Sequence, residues 1–571
     1  MLYFASRCLP GLLLISKLSK PKIKRFSHSN DSYIIKSHLP NVEIPHATVP
    51  QYVFENFNKF PYKTAAECAT SGRKYTFEQL RNKAINLGNN LRLKLKLSKG
   101  DVVAVFMPNI PEFPISFLGI LQGSMVVTTI NSLHKVDEIK KQLKDSDAKV
   151  IITTCSLHTL VCTAVSPTDK IHIVTIKTKK ENVTPVGSIS FDELVDTKTD
   201  IRFDHESNPN DVAVIPYSSG TTGFPKGVLH THLSLVANQC QLNAPEIKIH
   251  HTATENYQDV IPAIVQLSHM YGLVVLLLNG LSNLSKIVTL TKFKPNDFIN
   301  TLENHKPTIL YTAPPIIIFM ANHTSINKSH FECLRIIIST TAPLRSSDEA
   351  FFLQKAQKYV EFCQGYGTTE TGLILFNKQT NKPSQSVGFA VPNVTLKVVS
   401  IDDPHQTLPC YSNGQLLVKG PQNMIKYHNR PEDSENALIN GFVPTGDVVY
   451  YDNDKNIYVV DRLKELIKVK GYQVAPAELE EIILSYPNVK EVAVIGIPHN
   501  LYGEVPRAYI TILSQCTVNT KDIEKYVADK VSSYKNLVGG IVVVDKLPKN
   551  DLGKCLRKEL KIQYSKEIQI N

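Results

Sequence analysis

Short runs that are apolar at every position recur along the chain, separated by stretches whose apolar residues return every three or four positions. Val102–Phe106 reads as a buried strand and Phe113–Leu121 as a helix behind Pro111. The same alternation continues through Lys149–Thr153, His172–Ile176, Val212–Pro216, Thr308–Tyr311 and Arg335–Ser339. A strand that is apolar throughout is covered on both faces, so strands alternating with helices predict parallel β-α-β units. After Asp461 the pattern changes. Pro476-Ala477-Glu478-Leu479-Glu480-Glu481 has the proline and acids of a helix start, and strands are expected at Glu491–Ile497 and Arg507–Leu513. A helix from about Thr520 carries Ile523, Val527 and Val531 one turn apart; a last strand, Ile541–Val544, precedes a polar tail. At 571 residues the chain is too long for one core. The expected architecture is α/β: a large N-terminal domain of mixed and parallel sheets flanked by helices (31–460), and a small, mobile α+β lid domain (461–571).

Composition narrows the classes. With 42% hydrophobic and 20% charged residues the chain is globular rather than disordered. Its ten cysteines are scattered, with no CxxC pair and no Cys/His cluster of zinc spacing. This is the usage of reduced thiols in an intracellular compartment. The net charge is +11, but Arg7, Lys17, Lys20, Lys22, Lys24 and Arg25 supply six of those charges within thirty acid-free residues. Serines and the short run Leu12–Ile15 complete the composition of a mitochondrial transit peptide in residues 1–30. A secretory signal is the rival, disfavoured because the basic cluster follows the apolar run and no small-residue cleavage site appears. No stretch approaches the roughly 18 apolar residues of a membrane span, and the C-terminus lacks the Ser-Lys-Leu peroxisomal address. The remaining charge, +5 over the body of the chain, suits small polyanions and is too dispersed for nucleic acid.

Five segments carry candidate chemistry. Tyr217-Ser218-Ser219-Gly220-Thr221-Thr222-Gly223-Phe224-Pro225-Lys226-Gly227 follows a strand and precedes a helical segment rich in Leu, Val and Ala. Its glycines let backbone N–H groups turn onto an anion, four hydroxyls add donors, and Lys226 adds a charge: a loop suited to a triphosphate. It is not a Walker A loop, because G-K-[ST] is missing. Read alone, it is also compatible with a surface turn. The others are Gly365-Tyr366-Gly367-Thr368-Thr369-Glu370 behind an apolar strand (Tyr359–Phe362), Thr445-Gly446-Asp447, Asp461-Arg462-Leu463-Lys464-Glu465-Leu466-Ile467-Lys468, and Pro548-Lys549-Asn550-Asp551-Leu552-Gly553-Lys554. Each alone reads as a turn or a solvated loop.

Together, in this order and over residues 45 to 560, they resemble the adenylate-forming superfamily of acyl-CoA synthetases, 4-coumarate–CoA ligases, beetle luciferases and peptide-synthetase adenylation domains. The resemblance implies an ATP-dependent acyl-CoA ligase that joins a carboxylic acid to AMP and passes the acyl group to coenzyme A. It implies nucleotide binding by Ser218, Ser219, Gly220, Thr221, Thr222, Gly223 and Lys226. Tyr366 would stack on adenine between Gly365 and Gly367, Thr369 would meet the α-phosphate, and Glu370 would hold Mg²⁺. Asp447 and Arg462 would bind ribose. Lys554 would offset the repulsion between carboxylate and α-phosphate, and His269, in Ser268-His269-Met270-Tyr271-Gly272, would stand beside the acyl carboxylate; read alone, His269 is as readily a core histidine. The hinge would lie at Asp461–Lys464, bringing Lys468 and Gly471 to the site for the coenzyme A step. Tyr271 with Thr340 and Thr341 of Ser339-Thr340-Thr341-Ala342-Pro343-Leu344 would line the acyl pocket. Branched side chains there and Leu373 favour an apolar, medium-chain fatty acyl group; a compact aryl acid such as 4-coumarate stays open. Cys555 reads as a small apolar filler. Three rival classes share the adenylation half: a luciferase-like oxygenase, an inactive binding homologue, and a carrier-protein adenylation domain. Intact motifs oppose the second, and no carrier segment follows Lys554.

Overall fold

A computed structural model describes residues 33–570 except 167–169, 219–224, 341–345, 379–385, 436, 470–471, 500–501, 532, 550–552 and 554. The strand Val102–Phe106 is central, buried at every position, and parallel to Val126–Ile130 on one side and Ala148–Thr154 on the other. Val212–Ile215 and His172–Ile176 extend this sheet in parallel, as the continuous apolar runs require. The helix Glu112–Gln122 is buried along its whole length. Its one acid, Glu112, is 2% exposed and is satisfied by Arg73 in a two-pronged pair at 3.0 and 3.1 Å and by the Tyr75 hydroxyl at 3.0 Å.

A second sheet joins Val260–Ala263, Lys286–Thr289 and Thr64–Cys68 in parallel. A third joins Ile309–Thr312, Ile336–Ser339 and Glu361–Thr368 in parallel, then turns back through Gly372–Lys378. From residue 390 to Arg462 the chain departs from the β-α-β expectation. Thr395–Val399, Gly414–Lys419, Val443–Tyr451 and Ile457–Arg462 form an antiparallel sheet. Val443–Tyr451 and Ile457–Arg462 are joined by a short loop, which can connect only antiparallel neighbours, while the longer link from Gly414–Lys419 to Val443–Tyr451 carries the strand Lys426–Tyr427 and the short helix Pro431–Glu435.

The C-terminal segment builds its own sheet from Ile467–Val469, Tyr472–Val474, Val489–His499, Gly503–Ile512 and Ile541–Val543. Ile467, Leu479, Ile483, Val494, Ile510, Ile523 and Val527 form its separate core. Three expectations need correction. The helix Thr520–Ala528 ends before Val531, which packs half-buried on the same core from the following turn. The polar tail contains a helix, Arg557–Ile570, whose one-sided apolar contacts are too sparse to announce it. The first four residues of the Gly365 motif lie inside the strand Glu361–Thr368 rather than in a loop after it, and only Thr369 and Glu370 fall in the following turn. Among the described residues no helix is long and apolar enough to cross a membrane, and the described cysteines are all free.

Two buried histidines are held neutral. The Val49 N–H donates to His232 Nδ1 at 3.2 Å, and His250 lies 3.0 Å from the Ser285 hydroxyl and 3.1 Å from that of Tyr311. Burial pushes both down from 6.5 to about 4. An unfolded chain takes up these protons near 6.5 and the folded one only near 4, so stability falls as pH drops through that window. Urea unfolding followed between pH 6.5 and 4.5 should lose about 1.4 kcal/mol per pH unit for each histidine. His250→Asn should remove about one proton from the slope; an unchanged slope would assign the acid sensitivity elsewhere.

Candidate active site

Asp447 and Arg462 are direct cross-strand partners in the antiparallel sheet. The pairing sets the Arg462 guanidinium 2.8 Å from the Asp447 carboxylate, which is 95% buried. Gly446, at φ +73°, makes the turn that aims Asp447. The other carboxylate oxygen accepts the hydroxyl of Tyr366, which comes from a different sheet. Tyr366 lines the cleft, surrounded by protein but partly open to solvent, and burial followed by the Asp447 charge pushes its phenol far up. The strand bulges between Tyr366 and Gly367. A Cβ on Gly367 would lie 2.0 Å from the Gly372 carbonyl, so only glycine fits there.

One residue on, Thr369 and Glu370 are held by their backbones. His230 Nε2 lies 2.8 Å from the Thr369 carbonyl and therefore carries the proton; burial keeps this ring neutral. The Glu370 carbonyl accepts from the Met424 N–H at 2.8 Å. The Glu370 carboxylate accepts the Tyr427 hydroxyl at 3.1 Å. No cluster of three or more His, Cys, Asp or Glu occurs among the described residues. A lone, partly solvated carboxylate beside a phosphate site is nonetheless the donor set Mg²⁺ accepts, since it keeps waters and takes the rest of its shell from substrate.

The ends of the candidate phosphate loop are paired: Ser218 with Lys226 and Tyr217 with Gly227, in antiparallel hairpin strands. Ser219, Gly220, Thr221, Thr222, Gly223 and Phe224 lie outside the described residues. The expected helix does follow, as His232–Leu242, but only after the strand Lys226–Thr231. A run of Val, Leu and Thr satisfies either period, and pairing on both sides selects the strand. The base of the hairpin is tied down by the Tyr217 hydroxyl, which donates to Asp145 at 2.7 Å, while Arg430 pairs with the same carboxylate at 2.9 Å.

His269 lines a cleft: its ring is open to solvent, yet surrounding protein lowers its pKa, and Nδ1 accepts from the Tyr271 N–H at 3.3 Å. It precedes a π-helix, Tyr271–Leu278, a winding that is often found at functional sites. Tyr271 is buried, edge-on to Tyr311, and donates to the Ile338 carbonyl at 2.9 Å. Thr340 is buried beside Tyr271, its hydroxyl without a close hydrogen-bond partner among the described residues. Its methyl and Leu373 would lie 3.2 and 2.9 Å from a Cβ on Gly365, so both press on the open face of that glycine. Thr341 lies outside the described residues.

From the C-terminal segment, the Asp461 carboxylate bonds the Arg462 N–H at 2.7 Å and the Ala477 N–H at 3.0 Å, bridging the last strand of one domain to the first helix of the next. Lys464 is exposed; its pKa is lowered by partial burial and then by Lys226 and Arg462. Lys468 is exposed, its backbone N–H bonded to Glu504. Lys554 and Gly471 lie outside the described residues. Gly553 beside Lys554 is described: a Cβ there would be 3.4 Å from Pro315, in the first turn of the helix Pro314–Asn322 that follows the strand Ile309–Thr312. Arg557 secures the far side of that loop, pairing with Glu465 and, at 2.7 Å, with Glu480. Cys555 is half-buried and burial pushes its thiol up to about 11, so it is the inert filler expected. Sequence reasoning missed Tyr427, His230, Asp145 and Asp433, which lies 2.7 Å from Lys226. Only Pro431, at a helix start, signals order near two of them.

The chain matches the AMP-binding enzyme family over residues 53–428 and the AMP-binding enzyme C-terminal domain over 478–554. It is 33% identical to a 4-coumarate–CoA ligase of Oryza sativa subsp. japonica, over 94% of this chain and 96% of that one. It is 32% identical to one of Arabidopsis thaliana, over 95% and 97%. ATP-bound MatB from Rhodopseudomonas palustris superposes with a TM-score of 0.80 at 24% identity, covering 91% of this chain and 99% of that one.

A buried carboxylate held by an arginine and a phenol has little freedom to reorient, so its loss should be felt by the nucleoside. Calorimetric titration of Asp447→Asn with ATP and with AMP should show about tenfold or greater weakening of both, the worth of a charge-assisted hydrogen bond. Tyr366→Phe should weaken them less; an equal loss would mean that the phenol itself binds the nucleotide.

Proposed function

The chain belongs to the AMP-binding enzyme family, and from that premise we propose that it is an acid–thiol ligase that activates a carboxylic acid with ATP and transfers the acyl group to coenzyme A. The observation that carries this reading is that the motif residues contact one another. Asp447 joins Arg462 to Tyr366 of a second sheet, Glu370 and Lys226 flank Tyr427, Lys464 lies near both Lys226 and Arg462, and Gly553 stands against Pro315 from the C-terminal domain. The relatives named 4-coumarate–CoA ligase supply the reaction class.

In the first half-reaction a carboxylate oxygen attacks the α-phosphorus of ATP, and pyrophosphate leaves. Two anions must meet, which costs about 4 kcal/mol at 4 Å in an effective dielectric of 20. The ammonium of Lys554, next to Gly553, would offset this and the charge that develops at the phosphorus. The hairpin and Lys226 would hold the outgoing phosphates, the N–H and hydroxyl of Thr369 the α-phosphate, and neutral His269 the carboxylate. Mg²⁺ held at Glu370 would neutralise phosphate charge. In the second half-reaction the coenzyme A thiolate attacks the acyl carbon and AMP leaves. That step needs access for coenzyme A once Lys554 has acted at the α-phosphate, so the C-terminal domain would turn about Asp461–Lys464 and present Lys468 and Gly471 instead.

For the acyl group the first reading is a medium-chain fatty acid, supported by the Thr340 methyl and Leu373 at Gly365. The second is a compact aryl acid, supported by the names of the relatives. Residues 1–30 would direct the chain to mitochondria; a reporter fused to them should reach that organelle, and export or diffuse signal would reject the assignment.

Pyrophosphate release from octanoate, 4-coumarate and luciferin, with and without coenzyme A, tests the reaction and its substrate together. Octanoate should exceed coumarate, and luciferin should give no light; strong light would establish the oxygenase. Changing Thr340 and Thr341 to glycine should raise coumarate relative to octanoate, and an unchanged ratio would remove both threonines from the pocket. Lys554→Ala should lower adenylation about a hundredfold or more while sparing thioester formation from supplied acyl-AMP. Equal loss of both steps would refute the two-orientation mechanism.

A further inference from the structure

Lys226 closes the phosphate hairpin, yet its ammonium already has an anionic partner. It lies 2.7 Å from the carboxylate of Asp433 and 5.1 Å over the ring of Tyr427. Asp433 stands in the first turn of the short helix Pro431–Glu435. That turn is fixed in place: the Ser434 hydroxyl donates to the Arg430 carbonyl at 2.6 Å and accepts the Tyr427 N–H at 3.1 Å. Tyr427 is in register with Val228 of the hairpin strand, and the His428 N–H bonds the Gly227 carbonyl at 2.8 Å. Lysine and carboxylate therefore ride on one framework. Both are partly open to solvent, at 28% and 41% exposure, so an anion can reach the ammonium.

An ammonium has three N–H donors but one unit of charge. With Asp433 against it, the pair offers little net field to a polyanion. A phosphate oxygen reaching Nζ from the open side would stand roughly 5 Å from the carboxylate, twice the length of a charge-assisted hydrogen bond. Resting on the reading of Lys226 as a phosphate ligand, we infer that Asp433 is a resident counter-ion that competes with the β- and γ-phosphates for Lys226. It weakens the hold on ATP and, equally, on pyrophosphate, and so favours release of that product. Asp433 is thus a residue whose removal tightens substrate binding.

The test is calorimetric titration of the full-length protein and Asp433→Asn with ATP, pyrophosphate and AMP. ATP and pyrophosphate should bind roughly two- to fivefold more tightly to the variant, the worth of a partly exposed ion pair, while AMP, lacking both outer phosphates, should be unaffected. The gain should shrink at high salt and vanish in a background of Lys226→Ala. Weaker ATP binding by Asp433→Asn would overturn the inference and make Asp433 an aligning residue. So would equal affinities, or a gain that survives without Lys226. Normal ATP affinity in Lys226→Ala alone would instead bring down the reading of Lys226 itself.

Discussion

The site depends on one buried carboxylate. Asp447 has almost no contact with solvent, and an ionised carboxylate so placed is costly unless it is paired and hydrogen-bonded. Two of its partners come from different places: Arg462 from the neighbouring antiparallel strand, Tyr366 from the mixed sheet. Satisfying Asp447 therefore ties one sheet to the other. The same constraint reaches the second domain. Arg462 follows Asp461, whose carboxylate bonds Ala477 at the start of the first C-terminal helix. One short stretch thus carries both the partner of the buried charge and the junction between domains.

Around that fixed point the charges are arranged in opposed pairs. Arg462 answers Asp447, Asp433 answers Lys226, and Arg557 answers Glu465 and Glu480. Glu370 is different. Its carboxylate is bonded only by the neutral hydroxyl of Tyr427 among the contacts described, and a neutral donor leaves its charge available to a cation. Lys464 is different too: partial burial, and then the cations Lys226 and Arg462, depress its pKa.

Much of this was legible in the sequence because the pattern and the chemistry agree. Val102–Phe106 and His172–Ile176 occur where their apolar runs predicted, since a strand covered on both faces has no alternative placement. The motifs around Thr369, Asp447 and Arg462 do meet in space. What stayed hidden was set by partners distant in the chain. Lys226–Thr231 is a strand because Val212–Ile215 and Lys426–Tyr427 pair with it on its two sides, and neither pairing leaves a local mark. The Gly365 motif reads as a loop for the residue types it contains, yet the strand runs through it because Gly372–Lys378 folds back and pairs with it. Tyr427 and Asp433 carried no signal, because a lone tyrosine and a lone acid near a proline are ordinary surface composition.

Tyr427 shows how pairing becomes chemistry. Its strand has only two residues, Lys426 and Tyr427, too short to be stable alone, and it exists by adding to the hairpin edge beside Val228 and Leu229. That addition places one aromatic ring between the two charged groups of the phosphate site. Its face receives the Lys226 ammonium and its hydroxyl reaches Glu370. Burial and the charge of Glu370 push the phenol far above its ordinary range, so it remains a donor at any pH the protein tolerates. One ring thus meets an ammonium on its face and a carboxylate at its tip; that takes a rigid, neutral side chain with an apolar face and a polar tip, and tyrosine supplies all three properties.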